Sequence, residues 1–135
     1  MPDSRNLRVL DAAEDMTATV FEVVVHVQVH RAPGVRGQLV RSAASVSANI
    51  AEASDLGSDK NFKRQLRLAL ASANEVGSHL RIIKRTGALD PISVARCETK
   101  RTVVCRMLSN LIRRIEMDEA YEEERKRSAR REQPE

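Results

Sequence analysis

Tryptophan is absent from this chain of 135 residues, and Phe21, Phe62 and Tyr121 are its only aromatic side chains. A core with so few rings must be assembled from Leu, Ile, Val, Ala and Met, which suits helices packed closely along their length. Glycine and proline are scarce too, at five and four residues. That is too few for the turns of a β-sandwich or barrel, so composition points to one helical domain. No apolar run reaches about 18 residues, which excludes a membrane-spanning helix. The stretch from Met1 to Asp15 mixes charges of both signs and lacks the apolar centre of a signal peptide.

Cysteine is nearly as sparse. Cys97 and Cys105 are eight residues apart on one predicted helix, on the order of 12 Å along its axis. That separation is too great for a disulfide between them, and no Cys-x-x-Cys or Cys/His cluster suggests zinc. A reduced, cytoplasmic protein without metal or cofactor is the expectation.

Charge is present in quantity and unevenly placed. The chain carries a net +4, with a pI near 9.5. From Glu116 to Glu135 there are eight acidic and five basic residues, a net of −3, which leaves +7 on the first 115 residues. A body with that excess favours an acidic partner, nucleic acid being the commonest; the alternative is that the charge serves solubility alone.

Periodicity resolves four helices. The first is predicted from Asp3 or Ser4 to Arg31, with Leu10, Ala13, Thr17, Val20, Val24 and Val27 at alternating spacings of three and four. Its segment Val20 to His30 has the β-branched density of a strand, but no second strand exists for it to pair with. Val23 and Val25 then widen its apolar surface towards a second contact. Ala32-Pro33-Gly34 makes the turn. The second helix, about Arg36 to Ser54, is rich in Ser and Ala and buries Leu39, Ala43, Val46 and Ile50. Gly57 suits a left-handed cap behind it, and Ser58 is the predicted N-cap of the third. There Phe62, Leu66, Ala69, Ala73, Val76, Leu80 and Ile83 form a heptad-like seam. Gly87 closes it and Asp90-Pro91 opens the fourth, whose seam is Val94, Cys97, Val104, Leu108, Leu111 and Ile115. Arg101 interrupts that seam and is expected to snorkel outward. The fold class expected is all-α: an antiparallel up-down-up-down four-helix bundle over residues 1–117. Residues 118–135 are read as a charged helical extension, helical to about Arg127, and a disordered tail through Pro134.

These motifs resemble a bacterial family known as four helix bundle proteins or 23S rRNA intervening-sequence proteins. Arg5-Asn6-Leu7-Arg8-Val9 is similar to the family's opening, and Ser47-Ala48-Asn49-Ile50-Ala51-Glu52 is similar to its most specific element. Phe62, Ala69, Ser72, Glu75 and Leu80 match its third-helix pattern, and Met107-Leu108 with Leu111-Ile112 its fourth. Ser47 stands where the family usually has Pro and Ala53 where it usually has Gly, so the second helix should be more regular here. The resemblance implies a bundle that assembles into a ring-like homopentamer. One branch of relatives, the accessory variability determinants of diversity-generating retroelements, binds a reverse transcriptase and nucleic acid.

Three sets of polar residues are candidates for function. Asn49, Glu52 and Glu75 would be a carboxylate pair in an enzyme, but no nucleophile, phosphate loop or ligand set accompanies them. A structural hydrogen-bond network between the second and third helices is the expected role. His26 and His30, four apart, offer a metal pair without a third ligand. Lys60, Lys63, Arg64, Arg67, Arg81 and Arg85 fall within about 100° of one another on the third helix, away from its seam, with Asp59 the acid near them. That stripe, on the order of 37 Å long, would follow several phosphates. The absence of interleaved aromatics makes any binding backbone-directed and indifferent to sequence. The expectation is a non-enzymatic homo-oligomeric adaptor that binds RNA or DNA, or a nucleic-acid enzyme such as a reverse transcriptase. The alternative is a purely structural assembly protein.

Overall fold

The computed structural model describes residues 4–55 and 59–133. Its elements are α1 (Ser4–Val24), α2 (Val35–Asp55), α3 (Asp59–Thr86) and α4 (Pro91–Glu132). Each helix packs on the next, α4 packs back on α1, and no pair meets across the diagonal. This is the antiparallel four-helix bundle expected. Gly57, Ser58 and Pro134, assigned above to a cap, an N-cap and the tail, lie outside the described residues.

The core is a single column of aliphatic side chains. Met16 and Val20 from α1, Leu39, Val46 and Ile50 from α2, Leu66, Leu80 and Ile83 from α3, and Val104 and Leu108 from α4 are all fully buried. Each such side chain contributes about 1.5–3 kcal/mol on leaving water. The α3 seam is buried as expected except at its start, where Phe62 is half-buried. Ala43, Ala53, Ala69 and Ala73, all buried, let α2 and α3 approach closely. The Thr17 hydroxyl, 2.9 Å from the Ala13 carbonyl and 3.0 Å from that of Ala43, links α1 to α2.

The first helix ends seven residues earlier than predicted, at Val24 rather than Arg31. β-branched side chains lose rotamer freedom against the preceding turn of a helix, and five valines fall between Val23 and Val29. The chain leaves the helix through tight turns, with the His26 amide donating to Val23 O and the Val27 amide to Val24 O. Val27 and Ala32 then fold under the bundle and are buried. The Gln28 amide donates to Ala88 O at 2.7 Å, which ties this connection to the α3–α4 turn. Val23 joins the core, so of the two valines expected to widen the surface only Val25 stays exposed.

The α3–α4 turn follows its sequence closely. Gly87 has φ +66°, the left-handed conformation that closes α3. Asp90 caps α4, accepting from the Ser93 amide at 2.9 Å and the Ser93 hydroxyl at 2.7 Å. Those bonds hold its carboxyl below the usual carboxylate range. At the other end α4 runs to Glu132, five residues beyond the expected Arg127. The predicted disordered tail is therefore helical as far as Glu132.

Candidate nucleic-acid interface

The six stripe cations of α3 do not share one environment. Lys60, Arg64, Arg81 and Arg85 are exposed and make no ion pair among the described residues. Lys63 instead reaches α4, its ammonium 2.8 Å from Glu119, and only 19% of its side chain is exposed. Arg67 pairs with Glu116 on the same helix. The pairing follows from register. The short turn at Gly87–Asp90 sets α3 and α4 antiparallel, so the start of α3 lies beside the later turns of α4, where the acidic stretch begins. The stripe thus divides into Lys60 and Arg64 at one end and Arg81 and Arg85 at the other. Between them lie Asn74, Ser78 and the exposed Glu75, which on the helical wheel is about 20° from Arg64. Its carboxylate, an acid additional to the Asp59 expected near the stripe, weakens the middle of it.

The Arg81 end is the stronger. Arg81 and Lys84 line a groove of about 740 Å³ between α3 and α4, with Val94 and Val103 among its apolar walls and Arg106 across from them. Glu98 also lines this groove, but its carboxylate is held by Arg101. Four cations, Arg81, Lys84, Arg85 and Arg106, are therefore exposed on this part of the molecule. Sequence reasoning missed Lys84 and Arg106 because it followed one helix; antiparallel register across the Gly87–Asp90 turn was the available signal.

Arg101 does not snorkel outward. Its guanidinium lies over Gly77 of α3, where an added Cβ would be 2.8 Å from Arg101 Cζ. Its Nε donates to Glu98 Oε2 at 2.8 Å, and Nη1 lies 3.4 Å from Cys105 Sγ. The bond to Glu98 raises its pKa further. Burial pushes the Cys97 thiol up to about 11 and raises that of Cys105 as well, so neither supplies a thiolate near neutral pH.

The polar network between α2 and α3 has different members from those expected. Asn49 is half-buried and donates through Nδ2 to Ser45 O at 2.9 Å and Ser45 Oγ at 3.1 Å. Ser45 Oγ is in turn 3.0 Å from Ser72 Oγ of α3. Hydroxyls, not carboxylates, make the link: Glu52 and Glu75 are exposed and hydrogen-bond to none of these groups. His26 and His30 lie on the connection after α1 and not on a helix, so the four-residue helical spacing does not apply to them. Among the described residues no group of three His, Cys, Asp or Glu is placed to hold a metal ion, and no helix is long and apolar enough to cross a membrane.

The family model for 23S rRNA-intervening sequence proteins matches residues 5–110. The chain belongs to that family. Among solved structures it is similar to a crystal structure of a protein of unknown function from the S23 ribosomal protein family of Bacteroides thetaiotaomicron. That likeness has a TM-score of 0.74 at 23% sequence identity and covers 81% of this chain and 98% of the other. At that identity it shows a shared fold. No curated protein matches the chain. The family match takes in α1, α2, α3 and the first half of α4, with the whole cationic stripe, and stops before the acidic stretch that pairs with Lys63 and Arg67.

Proposed function

We propose that this member of the 23S rRNA-intervening sequence family is a non-enzymatic, homo-oligomeric adaptor that binds nucleic acid, or a nucleic-acid enzyme such as a reverse transcriptase, through basic surface. By resemblance to the family the oligomer is a ring-like pentamer. The observation that carries the reading is the cluster of Arg81, Lys84, Arg85 and Arg106, exposed across α3 and α4 and without ion pairs among the described residues. Cations left unneutralised by their own protein attract polyanions, and phosphate contacts release counterions from the nucleic acid. No aromatic ring interleaves with them, so the contacts are to backbone phosphate and not to bases.

The test is the salt dependence of binding to single-stranded RNA and DNA. Each phosphate neutralised on a single strand contributes roughly 0.7 to the slope of log K against log salt. Replacing Arg81 and Arg85 with Gln should lower the slope by about one to two units and weaken all sequences alike. Replacing Lys63 and Arg67 should lower it less, because Glu119 and Glu116 already share their charge. Absence of binding to any RNA or DNA at low salt would remove direct nucleic-acid recognition and leave a protein partner. A second reading, a purely structural assembly protein, draws on those same two ion pairs, which show stripe cations serving packing. It predicts that Arg81→Gln with Arg85→Gln changes the oligomer and not the salt slope.

A further inference from the structure

The fourth helix outruns its bundle. Lys63 meets Glu119, and α3 begins only one turn earlier, at Asp59, so α4 has α3 beside it to about Glu123. On the α1 side the first turns reach only Asn110 to Arg114. The remaining residues to Glu132 project on the order of 14 Å further. Every described side chain from Met117 to Gln133 is exposed. This arm also lies outside the residues that match the family, which end at 110.

Among the described residues nothing in the bundle packs on the end of the arm, so its own sequence must favour the helix. From Asp118 to Glu132 there is no Gly, Pro or β-branched residue, and growth from an existing helix avoids the nucleation cost. Glu122 pairs with Arg125 at 3.3 Å and Glu124 with Arg127 at 4.0 Å, each one turn apart. Arg130 and Arg131 in the last turn oppose the helix dipole.

The charge of the arm is sorted by position. Asp118 to Glu124 holds five acids among seven residues, and Arg125 to Arg131 holds five cations among seven. Three of those five acids are paired, Glu119 with Lys63, Glu122 with Arg125 and Glu124 with Arg127. Lys126, Arg130 and Arg131 have no acidic partner among the described residues. At about 100° per residue these three spread over roughly 140° of the helix circumference, Arg130 about 40° and Arg131 about 140° from Lys126. A helix resting on a flat anionic surface needs a stripe of about 100°. Cations facing two directions suit a helix with phosphates on both sides, which is the situation in a duplex groove wide enough to admit it. After Tyr121 no large apolar side chain follows through Glu132. That removes the anchor a lipid surface or a protein groove would need, and leaves no seam for pairing two arms.

From this arrangement we infer that Arg125–Arg131 is a second nucleic-acid contact, an arm that lies in the groove of a duplex and bridges phosphates of both strands. The inference rests on the reading of nucleic acid as partner, and it assigns to the arm a contact separate from the α3–α4 cluster. The shared chemistry is the duplex phosphate backbone, which B-form DNA and A-form RNA both offer in grooves of different width.

The test uses the full-length protein with a mixed-sequence DNA duplex, an RNA duplex of equal length and a single strand. The variant is Lys126→Gln, Arg130→Gln and Arg131→Gln together, none of which bonds to the bundle. On the duplex whose groove admits the arm, the slope of log K against log salt should fall by about two to three units, at about 0.9 per phosphate. The single strand, which has no groove, should lose less. Helicity and oligomer mass should not change. Exchanging the three side chains between Lys and Arg should keep the parent slope. An unchanged slope in the Gln variant, while Arg81→Gln with Arg85→Gln still lowers it, overturns the arm and leaves the proposed function standing. A parent that binds neither duplex nor single strand overturns the arm together with direct nucleic-acid recognition, and leaves only the protein partner of the proposed function. A changed oligomer mass at unchanged slope overturns the arm as well, because its cations would then meet the acidic half of another copy.

Discussion

Asp90 holds its side chain against the amide and hydroxyl of Ser93, and both bonds favour the ionised carboxyl. A carboxyl whose folded pKa is depressed stabilises the fold above its unfolded pKa, about 3.9. That contribution is lost as pH falls through the folded value. Asp90→Ala should therefore lower the melting temperature at neutral pH, and the gap between variant and parent should narrow below about pH 3.9. Thermal melts across that range check it, and a gap that stays constant would show that the cap is not electrostatic. The cap was legible because all its parts are neighbours in sequence: Asp90, Pro91 and Ser93. Arg101 was not. Its seat is Gly77, on another helix, and nothing in the local pattern of α4 reveals that a missing side chain across the interface makes room for a guanidinium. Glu75 failed in the same way, since its neighbours on α3 do not say whether it turns towards Asn49 or towards water.

Between elements, the α2–α3 contact depends on small side chains that bring two hydroxyls within bonding distance. Ser45 and Ser72 meet at 3.0 Å, with Asn49 donating to Ser45 from one turn away. A hydrogen bond of this kind has a net worth of about 0.5–1.5 kcal/mol. A double-mutant cycle of Ser45→Ala and Ser72→Ala should return a coupling of about that size from denaturant melts. A coupling near zero would mean the hydroxyls bond water instead. Helix existence was legible throughout, because the seams of α2, α3 and α4 repeat every three or four residues. The end of α1 was not, since Val20, Val24 and Val27 keep helical spacing past the point where the helix stops. What decides is the Gln28 amide bonding to Ala88 O, a contact some 60 residues away in sequence. The overrun of α4 was misjudged for a different reason: charged residues of high helix propensity look alike in a disordered tail and in an exposed helix.

For the molecule as a whole, the proposed ring needs a surface, and α1 offers one. Leu7 and Phe21 are about half exposed, and being two heptads apart they fall on the same side of the helix, with Asp11, Glu14 and Ala18 between them. By sequence the segment from Asp3 to Arg31 carries −2 and that from Ser58 to Gly87 carries +5. The structure narrows that contrast, since Asp15 and Glu22 are already paired with Lys100 and Arg96 of α4. Asp11 and Glu14 remain exposed for a neighbour. On α3, Leu68 is exposed beside Arg64, thirteen residues from Arg81 and so away from the cluster proposed for phosphate. An α1-to-α3 contact between copies would be heterologous, and such a contact closes into a ring only when its rotation divides the circle. Light scattering at micromolar concentration should then return a mass near five times the 15.1 kDa of the chain. Phe21→Glu places a charge among those acids and should reduce the particle to monomers that keep their helicity, because Phe21 is outside the core. A parent that is monomeric would remove the ring altogether. A Phe21→Glu protein that still assembles would move the contact away from α1.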